Sequence, residues 1–272
     1  MKRMRRKPTP ARDPLFNSSV GKALGLLASF GAGRRALSLA ELAALAGMSV
    51  SSAQRCTHTL ARLGYLRRDP RVRRWVLTPR TLSLSHGYLA GHALIEQATR
   101  HLIDLNQVSG ESVSLSEPDG DDMVYVARFP SRKPFFIHMP VGHRLPMYCT
   151  ASGRAYLAAL PAPLAERIVR RSRLEALTPY TLTDTREILR RISAARSEGY
   201  AWSEQECYRG DLTIAAAVLG ADGAPVAAVN VSAPNSRWTL AQLRARLSPV
   251  LLETARAASH PRRAAPMSTP GG

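Results

Sequence analysis

The run Ser38-Leu-Ala-Glu-Leu-Ala-Ala-Leu-Ala-Gly-Met-Ser49, continued by Val50-Ser-Ser-Ala-Gln-Arg-Cys-Thr-His-Thr-Leu-Ala-Arg-Leu-Gly-Tyr-Leu66, decides how the chain is read. Ser38 and Glu41 have the S-x-x-E spacing of a capping box, which starts a helix. Leu39, Leu42, Leu45 and Ala46 give that helix an apolar side. Gly47 supplies a left-handed turn, and Ser49 is placed to cap a second helix. On that helix Val50, Ala53, Thr57, Leu60 and Leu63 share one side at about 100° per residue. Ser51, Arg55, His58 and Arg62 face the other way. An apolar back with a cationic, hydrogen-bonding front suits a helix that lies in a DNA major groove.

Working outward, Ser18 or Ser19 is expected to cap an earlier helix with Val20, Ala23, Leu24, Leu27 and Phe30 as its buried stripe. On the other side, residues 65–68 and 73–77 read as two short strands around Asp69-Pro70-Arg71. Three helices and a basic hairpin make a winged helix. Ser51, Ser52, Gln54, Arg55 and His58 are the candidate base readers, since Arg matches guanine and Gln matches adenine in the major groove. Arg62 and the wing residues Arg71, Arg73 and Arg74 are candidate phosphate contacts.

Charge is distributed to match. The 272-residue chain has a net charge of +18, and residues 1–80 hold 17 Lys and Arg against 3 Asp and Glu, whereas the remainder holds 21 against 17. The cationic excess therefore sits with the helix-turn-helix, as phosphate neutralisation requires. Cys56, Cys149 and Cys207 are widely spaced and form no C-x-x-C pair, which argues against a disulfide framework or zinc site. No metal or cofactor is expected. The basic N-terminus has no apolar stretch behind it and no run approaches the roughly 18 apolar residues of a membrane span. The expectation is a soluble, cytoplasmic protein with no membrane partner.

Residues 81–88 read as a linker helix interrupted near His86-Gly87, and a further helix carries Leu94, Ala98, His101, Leu102, Leu105 and Val108 on one face. Strands are expected at 112–116, 123–129 and 134–139, then a helix from Thr150 to about Leu160 and amphipathic helices at 163–172 and 185–198. Residues 212–219 and 225–232 flank Ala-Asp-Gly, a hairpin signal. A last helix runs from Thr239 to about Ala258, bent at Pro249. The fold class is α+β: an N-terminal winged helix-turn-helix, a linker helix and a C-terminal antiparallel sheet with flanking helices. The expected division is a disordered basic arm (1–14), a DNA-binding domain (15–80), a linker helix (81–91), an α+β domain able to hold a small ligand (92–258) and a disordered tail (259–272).

Three blocks, SLAELAALAGMSVSSAQRCTHTLARLGYL (38–66), RLPMYCTASGRAYLAALP (144–161) and GYAWSEQECYRGDLTIAAAVLGADGAPVAAVNVSAP (199–234), occur in an order that resembles the IclR-type transcription regulators. The form of residues 145–155 is similar to that in the branch controlling aromatic-acid catabolism through β-ketoadipate. The resemblance implies a GAF-like effector domain, dimers or tetramers on near-palindromic operators, and a small aromatic or dicarboxylic acid as effector. It places ligand contacts at the amides of Ala151 and Ser152, at Ser203 and Glu204 (where Ser203 departs from a common acidic residue), at Asp211 and Thr213, and at Asn230 and Ser232, where Asn replaces a common Ser. Local chemistry adds Gly153, because Thr150 caps a helix whose first-turn amides favour an anion. The same residues would equally serve only to cap and pack that helix.

Two rival classes bear on this reading. An architectural DNA-binding protein would bind without operator preference. An enzyme would need Cys149 activated by a base, for which His143 is nearest in sequence. No motif for an oxyanion or a third partner accompanies them, and no enzyme is expected.

Overall fold

The computed structural model describes residues 14–31, 33–133 and 139–259. The chain divides at Gly91/His92 into two compact units. In the first, α1 (Ser18–Leu27), α2 (Leu39–Leu45) and α3 (Val50–Arg62) precede the antiparallel strands β1 (Leu66–Arg68) and β2 (Trp75–Leu77), and α4 (Thr81–Leu89) follows. The capping box forms in full: Glu41 N donates to Ser38 Oγ at 3.3 Å and Ser38 N to Glu41 Oε2 at 2.7 Å. Gly47 takes φ 64°, and Ser49 Oγ accepts the Ser52 amide at 3.3 Å. Leu26, Leu37, Leu42, Ala43, Ala53, Leu60 and Leu66 make the core. Leu37 also bridges Trp75 through two backbone hydrogen bonds of 2.8 and 2.9 Å, which ties the wing to the helices.

Details depart from expectation. The cap of α1 is Asn17, whose Oδ1 accepts the Ser19 and Val20 amides. The buried line runs through Ala23, Leu26, Leu27 and Phe30, while Val20 and Leu24 are exposed. It keeps Ala23, Leu27 and Phe30 of the expected stripe and turns by roughly half a residue, about 50°, to bring in Leu26 in place of Val20 and Leu24. On α3, Ala53, Thr57 and Leu60 are buried but Val50 and Leu63 are not, because they sit at the two margins of the apolar face. Helix α4 passes through Gly87 without interruption and buries none of its residues.

In the second unit a six-stranded antiparallel sheet has the order β5-β4-β3-β8-β7-β6. Its members are β3 (Ser112–Asp119), β4 (Asp122–Phe129), β5 (Arg144–Pro146), β6 (Ala201–Glu204), β7 (Asp211–Leu219) and β8 (Pro225–Pro234). The helices are α5 (Ala93–Ser109), α6 (Ala151–Ala159), α7 (Ala162–Arg171), α8 (Thr185–Glu198) and α9 (Leu240–Ser259), the last continuing through Pro249. Helices α5 and α9 pack on each other and on β3, β7 and β8, and α6 packs on β6, β7, β8 and α8. Side chains alternate along β8, so Val229 and Val231 point to one face and Ala228, Asn230 and Ser232 to the other, where α6 lies. The expected strands at 112–116 and 123–129 form. Of the expected strand 134–139, residues 134–138 lie outside the described residues, and Met139 is buried outside any strand. Strands β5 and β6, three and four residues long, were not expected from the pattern. On α5 the buried residues are Ala98, Leu102, Leu105 and Ser109, and Val108 is 66% exposed.

Candidate functional sites

The first site is the outer face of α3 and the adjoining wing. Ser51, Gln54, Arg55, His58 and Arg62 are exposed and Ser52 is half-buried. They lie on α3 because Ala53, Thr57 and Leu60 hold its other side in the core. Ser52 is partly committed: Ser49 Oγ donates to its hydroxyl at 3.1 Å. The wing turn is built on Asp69, whose Oδ1 accepts the amides of Arg71 and Val72. Arg71 and Arg73 are exposed on it, with Arg73 in the left-handed region at φ 53°. Arg74 differs. Its guanidinium donates to Ala36 O at 3.1 Å and to Glu41 Oε1 at 3.1 Å, so it fastens the wing to the start of α2. The Glu41 carboxyl is held below the usual range by the Ser38 amide and hydroxyl and by Arg74.

The second site is the α6 side of the sheet. Thr150 caps α6 and accepts the Gly153 amide at 3.0 Å. The Gly153 amide is thereby used within the cap, leaving those of Ala151 and Ser152 as first-turn donors outside the helix ladder. Gly153 has a packing role as well, since a Cβ there would lie 2.2 Å from Met147 Cα. Ser152 Oγ donates to Asn230 Oδ1 at 3.3 Å. Register then carries a polar row across the sheet. Arg128 lies opposite Ser114, Ser114 opposite Asn230, Ser112 opposite Ser232, Ser232 opposite Thr213, and Thr213 opposite Ser203. Ser112, Ser114, Ser203, Asp211, Thr213, Asn230 and Ser232 are all buried. Asp211 accepts the hydroxyls of Ser232 and Thr213, the latter at 2.8 Å. Burial pushes the Asp211 carboxyl up, against the opposing pull of those two donors and of the Arg128 charge.

Glu204 does not join this row. It follows Ser203 on β6, so alternation turns it outward, and it is exposed. The acid that is buried nearby is Glu206, which accepts a bidentate pair from Arg154 at 2.5 and 2.7 Å. Arg154, fully buried, also donates to Tyr148 O at 2.9 Å, and Glu206 accepts the Leu182 amide at 3.1 Å. This pair locks α6 to the loop between β6 and β7.

Sequence reasoning missed several groups around the row. Arg128 donates to Ser114 Oγ at 3.2 Å and Ser112 Oγ at 3.5 Å. A β-bulge shifts register between Leu115 and Ser116, so that Tyr125, three residues from Arg128, lies opposite Ser116 on the same face. His143 Nε2 shares a hydrogen bond of 2.8 Å with Tyr208 Oη. Burial and the Arg128 charge hold His143 below its ordinary value, favouring the neutral ring. The available signal was Ser112-Val-Ser-Leu-Ser116, in which hydroxyls recur with period 2 on a buried strand.

Cys149 is not paired with His143. Its Sγ lies 3.4 Å from Cys207 Sγ, and His143 is engaged by Tyr208. The hydrogen bond with Cys149, and burial after it, push the Cys207 thiol up, away from the reactive thiolate. Among the described residues no group of His, Cys, Asp and Glu could hold a metal ion, and no helix is long and apolar enough to cross a membrane.

A winged helix with a cationic reading face, joined to a sheet carrying a buried polar row, defines a class that sequence comparison identifies. The IclR helix-turn-helix domain model matches residues 19–70, and the model of the bacterial transcriptional regulator IclR C-terminal domain matches residues 86–260. The chain belongs to the IclR family of DNA-binding transcriptional regulators. It is 32% identical over 249 residues to the Pca regulon regulatory protein of Pseudomonas putida, covering 91% of this chain and 85% of that one. A transcriptional regulator of Rhodococcus sp. RHA1 superimposes with TM-score 0.76 at 34% identity, over 90% of this chain and 97% of that one. The inducer-binding domain of a double mutant of the Acinetobacter transcription factor PobR, in complex with 3-hydroxybenzoic acid, aligns at TM-score 0.55 and 28% identity, over 60% of this chain and 95% of that domain.

Proposed function

We propose that this chain is a one-component regulator of aromatic-acid catabolism. The winged helix reads a promoter operator through Ser51, Ser52, Gln54, Arg55 and His58, with Arg62, Arg71 and Arg73 on phosphates and Arg74 as the wing's fastening. The division into residues 15–80 as reader, 81–91 as linker and 92–258 as sensor follows the same reading. It works as a dimer or tetramer, with half-sites about one or more helical turns of 34 Å apart. The effector is a small aromatic carboxylic acid, held by Ala151, Ser152, Ser203, Asp211, Thr213, Asn230 and Ser232. The sensor releases no product and acts in the cytoplasm.

The observation that carries this reading is the buried polar row under α6. Burying polar groups costs free energy unless they are paired, and a chain that needed only a stable core would fill this face with apolar side chains. The 3-hydroxybenzoic acid complex of a 28%-identical domain supports an aromatic acid as occupant. Differential binding then shifts the reader by about 1–3 kcal/mol, a 5- to 150-fold change in operator affinity. Thermal shift of the purified protein against hydroxybenzoates and linear dicarboxylic acids, followed by operator binding with and without each hit, tests it. A shift of melting temperature with at least one acid, and a matching change in operator affinity, is the expected result. Equal affinity for operator and random duplex, unmoved by any acid, would identify an architectural protein instead.

A further inference from the structure

The polar row has a surplus of donors at one place. Asn230 is fully buried, its Oδ1 is taken by Ser152, and among the described residues its Nδ2 has no acceptor. Register puts Asn230 directly across from Ser114, and Ser114 directly across from Arg128. The guanidinium reaches back over β3 to within 3.2 Å of Ser114 Oγ and 3.5 Å of Ser112 Oγ. Neighbouring strands are about 4.8 Å apart, so the guanidinium and the Asn230 amide flank one serine on one face of the sheet. Both are donors.

The charge there feels Asp211. Among the described residues, however, no carboxylate is in ion-pair contact with Arg128, although Arg154, Arg144, Arg171 and Arg244 each have one. Asp211, the interior acid whose charge acts on Arg128, already accepts two hydroxyls, and its burial favours the uncharged form. A half-buried arginine whose side-chain partners among the described residues are two hydroxyls fits an anion better than a neutral acceptor, because charge-assisted hydrogen bonds are roughly twice as strong as neutral ones.

Resting on the effector reading above, we propose that Arg128 and Asn230 together recognise the effector's carboxylate, over the floor made by Ser112 and Ser114. Arg128 supplies the charge and the planar fork, and Asn230 Nδ2 donates to the same group. The α6 amides of Ala151 and Ser152 are then left for a second polar atom of the ligand, such as a ring hydroxyl. Arg128 sets acid against neutral analogue, and the site rejects an ester or amide of the same shape.

The test uses full-length protein and calorimetric titration with 3-hydroxybenzoate and 3,4-dihydroxybenzoate, each beside its primary amide. Wild type is expected to prefer acid over amide by roughly 10- to 100-fold, as charged hydrogen bonds allow. Arg128→Gln should bind acid and amide alike, and Arg128→Lys should fall between, keeping charge without the fork. Melting of each variant without ligand reports whether it folds, and if the Gln variant does not, the acid-to-amide ratio of Arg128→Lys against wild type decides the matter, an unchanged ratio overturning the assignment. Equal binding of acid and amide by wild type, or an acid preference that survives in Arg128→Gln, overturns the assignment while leaving the effector reading in place. Binding of none of the four compounds by wild type overturns this assignment, and the effector reading is then decided by the wider panel of acids.

Discussion

The two polar faces of this protein solve opposite problems. On α3 and the wing, Gln54, Arg55, His58, Arg71 and Arg73 stand in water, and their cost of burial is deferred until a partner arrives. Under α6, Ser112, Ser114, Asn230, Ser232 and Asp211 are buried already, and most have found each other. A surface reader can change residue by residue with little effect on the fold. An interior reader cannot, because each group there also satisfies a neighbour. Sequence variation at the first face should therefore retune recognition, and at the second should cost stability as well.

The sharpest way to break that contrast is the Arg154–Glu206 pair. Glu206→Ala leaves a fully buried guanidinium without its carboxylate, and urea unfolding should register a loss of about 3–5 kcal/mol from the sensor unit. Replacing both residues by methionine should cost less than the single change, since two apolar side chains need no partner. A double variant as unstable as the single one would show that packing, and not the charge, holds the loop. At Gly153 the clash is with backbone, so Gly153→Ala should lower sensor stability by roughly 1–3 kcal/mol or more.

Arg55→Ala should do the reverse. Its unfolding curve should match wild type within about 0.5 kcal/mol, as for exposed positions generally. Binding to a set of single-base operator variants should meanwhile lose about 1–3 kcal/mol of discrimination at one position. Uniform weakening across the set would reassign Arg55 to phosphate.

Smaller effects separate the faces further. Burial raises the Asp211 carboxyl above its unfolded value, so its neutral form is the stabilising one. The contribution is full below the ordinary carboxylate range and is lost as pH rises through the elevated folded value. Asp211→Asn keeps an acceptor for Ser232 and should flatten the stability–pH curve of the sensor unit across that window; an unchanged curve would mean that Asp211 titrates normally. At the wing, Arg73→Gly relieves the φ of 53° and should stabilise by up to about 1 kcal/mol. The same change should lower the salt dependence of DNA binding by about one phosphate contact.

The reader was legible because its determinants are local. A capping box, a glycine and a serine cap set two helices within 25 residues, Ser38 to Arg62. The orientation of α1 was less so, because which side of a helix is buried depends on α3, and Val20 and Leu24 are as apolar as Leu26. Strands β3, β4, β7 and β8 of the sensor and the cap of α6 could be read, but the short β5 and β6 could not. Arg128, Tyr125 and His143 could not. Nothing in Val-Ala-Arg-Phe says that a bulge brings Tyr125 and Arg128 to one face, or that Ser114 stands between Arg128 and Asn230. Glu204 and Glu206 make the same point, since only strand alternation and the position of Arg154 decide which acid turns inward.

Helix α4 has a consequence of its own. At nine residues, with Leu82, Leu84 and Tyr88 all more than half exposed, it has neither the length nor the burial to hold itself wound. Segments below about 12–15 residues are marginal as free helices. The winding of α4 is thus conditional, and amide exchange there should run far faster than in α3 or α6.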